Sequence, residues 1–351
     1  MANIVILGAG VMGTAISTPL ADNGHRVHLV GTHLDTDIIE EIHQNRFHPK
    51  LRTPVANDVH PFTHLDLDLA MQDVDLVILG VNSLGISWAA EQLSTVLPPE
   101  TPVVAVTKGL AGDGEKLHLL PDVFRSGLPA DIQPSVQVAA IGGPSIAGEL
   151  AVRRHTSIVL TGRDEEHLDK IAALFRTPYY HIWTSTDMVG VEVCVALKNL
   201  YALAIGMVRG LLELEGLANN DAAMHNLAAA IFAQGLWESA FLVQLMGGEL
   251  SNVYSLAGAG DLFVTSVAGR NVRMGRLLGL GEKYKKAKEQ HFPDDTVEGA
   301  ELAIAIGDTI EHMLDRGKLE TKHIPLMRKM IHIIRDEEAI EIPWDDFFQF
   351  R

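Results

Sequence analysis

Lys198 is the residue of this sequence whose surroundings point most directly to chemistry. It lies in the run CVALKNLYA, where almost every other position is apolar. A helix that is apolar on all sides is normally buried, and burying an ammonium group is costly unless the group is paired or functional. Burial also lowers the pKa of a lysine, which suits it for acid–base catalysis. Two interpretations stay open: a buried acid–base lysine, or a lysine that snorkels to the surface along its own stem.

A second group of polar residues lies in the stretch 257–281, AGAGDLFVTSVAGRNVRMGRLLGLG. Asp261 follows a glycine-rich turn, where a solvated turn acid is the ordinary interpretation. Gly269, Arg270 and Asn271 predict the start of a helix. A guanidinium beside the free N–H groups of a helix start is typical of a phosphate site. Arg273, further along, is expected on the surface of that helix.

A glycine-rich motif near the start predicts nucleotide binding. The run IVIL reads as a buried strand, and Gly8, Gly10 and Gly13 follow at the spacing of the dinucleotide fingerprint. Gly8 would permit the tight turn, Gly10 would let a pyrophosphate approach, and Gly13 would let helix and strand pack closely. A helix to Gly24 and the strand RVHLVG complete a βαβ unit. The alternative is a structural strand–helix turn without a ligand.

The rest of the first half alternates apolar strands with helices. Strands are predicted within 73–81, 101–109, 136–145, 157–162 and 179–185, which indicates a mostly parallel sheet covered on both faces. Ligands bind beyond the carboxyl ends of such strands, where Lys108 and Gly143-Pro144-Ser145 lie. We therefore expect an α/β Rossmann-type N-terminal domain, residues 1–187, and an all-α C-terminal domain, residues 188–351. Gly206 and Gly210 are expected to permit close helix packing.

Composition narrows the class of protein. The 351 residues suit two domains, and a net charge of −17 argues against a nucleic-acid binder or a protein of anionic membrane surfaces. The one cysteine, Cys194, suits a reducing compartment, so a cytoplasmic location is expected. No uninterrupted apolar segment reaches the length of a membrane span. The sixteen histidines show no metal-binding motif, since His60 and His64 flank Pro61 in a predicted loop, and no metal site is expected.

Taken together, these motifs resemble those of the NAD(P)-dependent glycerol-3-phosphate dehydrogenases of archaeal and bacterial type. The resemblance covers nearly the whole chain in the right order. The stretches that carry it are GAGVMGTA, TKGL, GGPSIAGE, GVEVCVALKNLYALAIG, NLAAAIFAQGLWE, LAGAGDLFVTSVAGRN and VEG at 297–299. It implies interconversion of dihydroxyacetone phosphate and sn-glycerol 3-phosphate by hydride transfer with NAD(P)(H). It also makes a small phosphorylated substrate and a homodimer the expected partners.

The resemblance also implies roles for individual residues. Lys198 would be the general acid–base group, and Lys108 and Asp261 would complete the catalytic set. Substrate would be bound by Lys108, Gly143, Ser145, Lys198, Asp261, Arg270 and Asn271, the last two at the phosphate. The cofactor site would comprise Gly8, Gly10, Val11, Met12, Gly13, Thr32, His33, Lys108, Ala147, Arg270 and Glu298.

Cofactor preference is predicted from the end of the second strand. NAD-specific folds usually have an acid there for the ribose 2′-hydroxyl, but this chain has Val30-Gly31-Thr32-His33. Thr32 and His33 could donate hydrogen bonds to a 2′-phosphate, so NADP(H) is favoured over NAD(H). Asp35 could still reach the ribose. Two other functions stay open: a related two-domain dehydrogenase of another phosphorylated or carboxylated alcohol, and a non-catalytic nucleotide sensor.

Overall fold

The structure, a computed structural model, describes residues 1–348, which form two compact units. The first unit contains Met1–Lys108 and Leu120–Met188, and the second contains Gly109–Leu119 and, of the described residues, 189–348. The domain limits that we propose from the sequence assign the segment 109–119 to the first domain. The structure groups this segment with the second unit instead, because Gly114 N donates to Thr309 Oγ1 at 2.9 Å within that unit.

The strands are short, and those at the centre of the main sheet are almost wholly apolar. Ile4–Leu7 in the first of them are fully buried, as expected for a strand with helices on both faces. In chain order the strands are β1 (Asn3–Leu7), β2 (Arg26–Val30), β3 (Phe47–His48), β4 (Thr53–Pro54), β5 (Val59–Phe62), β6 (Leu76–Leu79), β7 (Val103–Ala105), β8 (Leu110–Gly112), β9 (Leu117–Leu119), β10 (Val138–Gly142), β11 (Thr156–Thr161) and β12 (Tyr180–Ser185).

Eight of these strands form the sheet of the first unit, in the spatial order β12-β11-β10-β7-β6-β1-β2-β5. Strands β10 and β11 run antiparallel, and the other neighbouring strands of the sheet are parallel. Leu7 at the end of β1 pairs with Val30 on one side and Leu79 on the other. The strand order therefore reverses between β1 and β6, which is where doubly wound sheets open a ligand crevice.

The predicted Rossmann-type sheet is confirmed, and one edge differs from the prediction. The stretch around Pro61 was expected to be a loop, but it forms β5, which pairs with β2. Proline lacks an N–H donor, so it is tolerated in a strand at the edge of a sheet, and β5 is such an edge.

Within residues 1–348, seven helices accompany this sheet and seven build most of the second unit, which confirms the helical C-terminal domain. The hairpin β8–β9 is an addition that the all-α prediction lacked. The helices are α1 (Val11–Asp22), α2 (Thr36–Asn45), α3 (Leu67–Ala70), α4 (Ile86–Leu93), α5 (Leu120–Ser126), α6 (Ala147–Ala151), α7 (Glu165–Phe175), α8 (Met188–Glu215), α9 (His225–Leu245), α10 (Asp261–Val267), α11 (Arg270–Gly279), α12 (Tyr284–His291), α13 (Glu298–Asp315) and α14 (Pro325–Arg335).

Helices α8 and α9 are both long and apolar enough to cross a membrane by length and composition alone. Counting uninterrupted apolar runs does not detect this length in α8, because Glu192 and Lys198 interrupt its apolar residues. The apolar window of α8 is 94% buried, which identifies it as the core helix of its unit. The corresponding window of α9 is 39% buried, so much of its apolar surface is left uncovered.

Helix α11 packs against α8 at backbone distance through four glycines, which we call the glycine seam: Gly206 and Gly210 on α8, and Gly275 and Gly279 on α11. A methyl group on any of them would overlap the backbone of the opposite helix. At Gly275, for example, a Cβ would lie 2.0 Å from the carbonyl oxygen of Leu203. The predicted packing role of Gly206 and Gly210 is confirmed.

Glu238 of α9 fixes the start of α14. Its carboxylate accepts hydrogen bonds from Leu326 N at 2.7 Å and Met327 N at 2.8 Å, which are N–H groups without partners inside the helix. It also accepts from Tyr201 Oη at 3.0 Å and Gln234 Nε2 at 2.8 Å. Burial raises the pKa of Glu238 to about 7, although these donors act to lower it. One carboxyl group thus connects α8, α9 and α14.

The glycine seam makes a prediction for stability. Replacement of Gly275 by alanine places a methyl group against backbone that cannot rotate away, so we expect the free energy of unfolding to fall by about 3 kcal/mol. Gly148→Ala is the matched control, because a Cβ there meets nothing within 4 Å. In the control the stability should change by about 1 kcal/mol or less. Urea unfolding followed by circular dichroism measures both, and equal stabilities of the two variants would contradict the prediction.

Candidate active site

Lys198 lies inside the second unit and is paired. Its Nζ donates to Asp261 Oδ1 at 2.5 Å and to Thr265 Oγ1 at 2.8 Å. The Lys198 side chain is 9% exposed and that of Asp261 is 0% exposed. The snorkelling interpretation is therefore excluded. A buried ammonium held by a buried carboxylate has a fixed position, which a group that transfers a proton to a substrate requires.

Asp261 owes its position to a tight backbone approach just before α10. The turn Leu256–Gly260 is a π-helical turn, and a Cβ on Gly258 would lie 2.2 Å from the carbonyl oxygen of Val253. Asp261 then begins α10 facing Lys198. The interpretation of Asp261 as a solvated turn acid was wrong, because this turn directs it into the unit rather than towards solvent.

Thr265 is a member of this cluster that the sequence reasoning missed. It follows Asp261 by one helical turn, and its hydroxyl lies 3.5 Å from Asp261 Oδ1. The i, i+4 spacing on α10 was the available signal, since residues four apart share a helix face. It became informative only once Asp261 was known to point inward.

Arg270, at the start of α11, lies beside acidic residues. Its guanidinium forms an ion pair with Glu298 and lies 3.9 Å from Asp295 Oδ1. The Arg270 side chain is 37% exposed, so a ligand can reach it. The predicted site residues Arg270 and Glu298 are thus brought together, while Asp295 was missed. A phosphate that binds Arg270 must compete with the Glu298 carboxylate for the guanidinium.

Asn271 has a buried side chain that ties three helices together. Its Nδ2 donates to Asn199 Oδ1 on α8 at 3.0 Å, and its Oδ1 accepts from Gly299 N on α13 at 2.8 Å. A Cβ on Gly299 would lie 2.4 Å from the carbonyl oxygen of Asn199, so α13 also approaches α8 closely. Since the side-chain amide is engaged here, the predicted contact of Asn271 with phosphate would have to come from its backbone N–H.

The glycine loop of the first unit fits a dinucleotide. Gly8 has a φ of +116°, and a Cβ there would lie 2.7 Å from the carbonyl carbon of Gly80. A Cβ on Gly13 would lie 2.1 Å from the carbonyl oxygen of Gly8. At Gly10, the N-cap of α1, a Cβ would meet nothing within 4 Å. Two glycines therefore serve close packing, and the third faces open space at a helix start that suits a pyrophosphate. Val11 and Met12 form the first turn of that helix.

The carboxylate of Asp35, which the sequence analysis placed within reach of the ribose, lies beside the end of β2. Asp35 Oδ2 accepts hydrogen bonds from Thr32 N at 2.8 Å, Thr32 Oγ1 at 2.8 Å and Ala9 N at 3.2 Å. Asp35, in the turn before α2, thus reaches back to the glycine loop. The Thr32 hydroxyl, which was predicted to donate to the nucleotide, donates to Asp35 instead.

The remaining predicted residues of the first unit follow β7 and β10. Lys108 Nζ donates to the carbonyl oxygen of Gly143 at 3.0 Å, and Gly143 has a φ of +97°. The Ser145 Oγ is buried and has no hydrogen-bond partner within residues 1–348. A buried hydroxyl without a partner is costly, so this atom is suited to contact a bound polar ligand. Ala147 begins α6.

Comparisons with known proteins agree with this geometry. Residues 3–168 match the model of the NAD-dependent glycerol-3-phosphate dehydrogenase N-terminus, and residues 187–343 match that of the corresponding C-terminus. The chain is 34% identical to an NADP(+)-dependent glycerol-3-phosphate dehydrogenase of Archaeoglobus fulgidus, over 82% of this chain and 83% of the relative. It is 36% identical to a glycerol-3-phosphate dehydrogenase [NAD(P)+] of Streptococcus pyogenes, over 80% and 79%.

A solved structure shows the same similarity. The crystal structure of glycerol-3-phosphate dehydrogenase from Coxiella burnetii superimposes with a TM-score of 0.81 at 26% sequence identity. The superposition covers 96% of each chain, and therefore includes both units.

Proposed function

Because the chain belongs to the NAD-dependent glycerol-3-phosphate dehydrogenase family, we propose that it uses Lys198 as the proton donor and acceptor of that reaction. The chain is an oxidoreductase that interconverts dihydroxyacetone phosphate and sn-glycerol 3-phosphate with NAD(P)(H). The single observation that carries the proposal is the buried contact of Lys198 with Asp261 at 2.5 Å.

Reduction of a ketone to an alcohol needs a hydride at carbon and a proton at oxygen. When it is bound, the nicotinamide cofactor supplies the hydride. The Lys198 ammonium then donates a proton to the carbonyl oxygen as negative charge develops there, and the reverse reaction returns the proton to Lys198. Asp261 and Thr265 hold the Nζ atom in place for this transfer. Both are within hydrogen-bonding distance of it.

The first unit is proposed to bind the nucleotide and to contribute further polar contacts. The N–H groups at the start of α1, with Gly8, Gly10, Val11, Met12 and Gly13, would hold the pyrophosphate. Lys108, Gly143 and Ser145 would contact substrate, and the buried Ser145 hydroxyl supports this role. Ala147 and Glu298 are proposed to border the cofactor. NADP(H) is proposed to be favoured over NAD(H).

Arg270 is proposed to bind the substrate phosphate together with the backbone N–H of Asn271. Arginine offers a planar pair of donors that matches phosphate oxygens, and the start of α11 adds N–H groups and a positive dipole end. Glu298 keeps the guanidinium in place through its ion pair. Binding of the dianion would displace part of that pair.

We further propose that the protein is a cytoplasmic homodimer that binds neither nucleic acid nor membrane. The apolar helix α9 buries one face, which includes Ile231 and Leu242. The same helix leaves Trp237 39% and Leu245 41% exposed. Large exposed apolar side chains are typical of a contact surface, and a second copy of this chain would cover them.

Replacement of Lys198 by alanine should lower kcat by about 10²–10⁴-fold, because the proton donor is lost. Nucleotide affinity, measured by NADPH fluorescence, should change little. Added ethylammonium should restore part of the activity, which a purely structural lysine would not show. Lys285→Ala, at an exposed lysine of α12, is the control and should turn over normally. Normal turnover by folded Lys198→Ala would refute the mechanism.

Replacement of Arg270 by lysine should reduce both kcat and 1/KM for dihydroxyacetone phosphate, since phosphate binding also orients the carbonyl. With phosphate-free dihydroxyacetone the variant and the wild type should be about equally poor. Arg273→Lys is the matched control, because Arg273 lies on the same helix and rests on the Phe292 ring. If Arg270→Lys keeps its preference for the phosphorylated substrate, the phosphate is bound elsewhere.

Trp237→Glu should shift the protein from dimer to monomer in light scattering coupled to size exclusion, because it places a charge in the proposed contact. Trp183→Glu is the control, since Trp183 is 55% exposed but lies on β12 of the first unit. A monomeric wild type, or dissociation caused by Trp183→Glu alone, would contradict the proposed surface.

A further inference from the structure

Three aromatic side chains of the first unit cluster beyond the carboxyl ends of its strands: His33, His64 and Trp88. The ring centroid of His33 lies 6.4 Å from that of His64 and 5.7 Å from that of Trp88, with the rings edge to face in both pairs. His33 is exposed, and His64 and Trp88 are half-buried. Burial of apolar surface does not explain such a cluster, because its central member faces solvent.

The sheet topology brings the three residues together. Val30 of β2 pairs with Phe62 of β5 in parallel register, and Gly31 N donates to the Phe62 carbonyl oxygen at 2.9 Å. His33, three residues beyond Val30, and His64, two residues beyond Phe62, therefore lie past the ends of neighbouring strands. Trp88 comes from α4, the helix that follows β6. All three lie at the edge of the sheet that carries the glycine loop.

Hydrogen bonds of Asp35 also connect the segment that carries His33 with the glycine loop. Thr32, which precedes His33, donates to Asp35, and Asp35 also accepts from Ala9 N between the fingerprint glycines. In a Rossmann-type unit the residues just beyond the second strand face the adenosine ribose of the dinucleotide. The imidazoles thus border the position of the ribose 2′-substituent, on the premise that the proposed nucleotide binding holds.

The two carboxylates beside the cluster are engaged by hydrogen bonds from neighbouring residues. The nearby carboxylate of Asp35 accepts three hydrogen bonds, and that of Asp66 accepts one from Thr63 Oγ1 at 2.6 Å. Within residues 1–348, no hydrogen bond engages the ring nitrogens of His33 or His64. An imidazole carries at least one N–H donor in either protonation state, so both rings can donate to phosphate oxygens.

We propose that His33 and His64 form the binding site for the 2′-phosphate of NADP(H), and that Trp88 positions the His33 ring. A 2′-phosphate presents several charged oxygens that can accept from both imidazoles at once, whereas a 2′-hydroxyl presents one uncharged oxygen. The preference for NADP(H) thus comes from a pair of histidines beyond the ends of two neighbouring strands. No arginine is needed for it.

The test is calorimetric titration of the full chain with 2′,5′-ADP and with 5′-AMP, which differ only in the 2′-phosphate. His33→Ala and His64→Ala should each weaken 2′,5′-ADP binding about 10-fold and leave 5′-AMP binding unchanged. Trp88→Leu should weaken 2′,5′-ADP binding to a smaller extent. His155→Ala is the control, because His155 stacks on His181 beside the far strands β11 and β12.

Three results would overturn the proposal: unchanged 2′,5′-ADP affinity in both histidine variants, an equal loss for both nucleotides, or a wild type that binds 5′-AMP as tightly as 2′,5′-ADP. Reduction of dihydroxyacetone phosphate by the wild type is measured alongside. If that activity is present while the histidine variants behave as wild type, only the histidine site fails. If the wild type binds neither nucleotide, the proposed function fails.

Discussion

The close approach of helices α11 and α13 to the backbone of α8 is the constraint on which the second unit depends. Glycines at the contacts let backbone meet backbone, so each helix can occupy only one register along α8. That register places Arg270 at the start of α11 and Glu298 at the start of α13, where they form an ion pair. The ion pair of Arg270 with Glu298 is therefore positioned by the glycine contacts of α11 and α13 with α8.

The first unit uses the same principle at its ligand crevice. Gly8, Gly13 and Gly80 bring the end of β1, the start of α1 and the end of β6 within backbone contact. Gly10 alone is left facing open space, and Asp35 holds the loop from the side of β2. In both units, close backbone packing reduces the freedom of the chain so that a few polar groups can be presented in fixed directions.

Patterns that are local in sequence predicted the site best. The fingerprint glycines, the buried strands and the helix around Lys198 each carry their signal within a short window, and the structure agrees with them. Thr265 was missed, and the local sequence of Asp261 alone predicted a solvated acid, because the surroundings of both depend on how a turn folds back. An exposed turn acid and a buried acid can have the same local sequence. In this chain the π-helical turn before α10 directs the Asp261 side chain into the unit. The hairpin β8–β9 was assigned to the wrong unit for a similar reason, since its partner Thr309 lies far along the chain.

The Glu238 carboxyl group links folding to proton uptake. In the unfolded chain it would titrate at its ordinary pKa of 4.5, whereas burial raises the pKa in the folded protein to about 7. Between these values the folded state binds more protons than the unfolded state, so this group's contribution to stability is complete below the lower value. That contribution then declines as the pH rises through the window to about 7. A carboxyl group that anchors a helix start thus makes the connection of α8, α9 and α14 sensitive to a rise in pH from acidic to neutral.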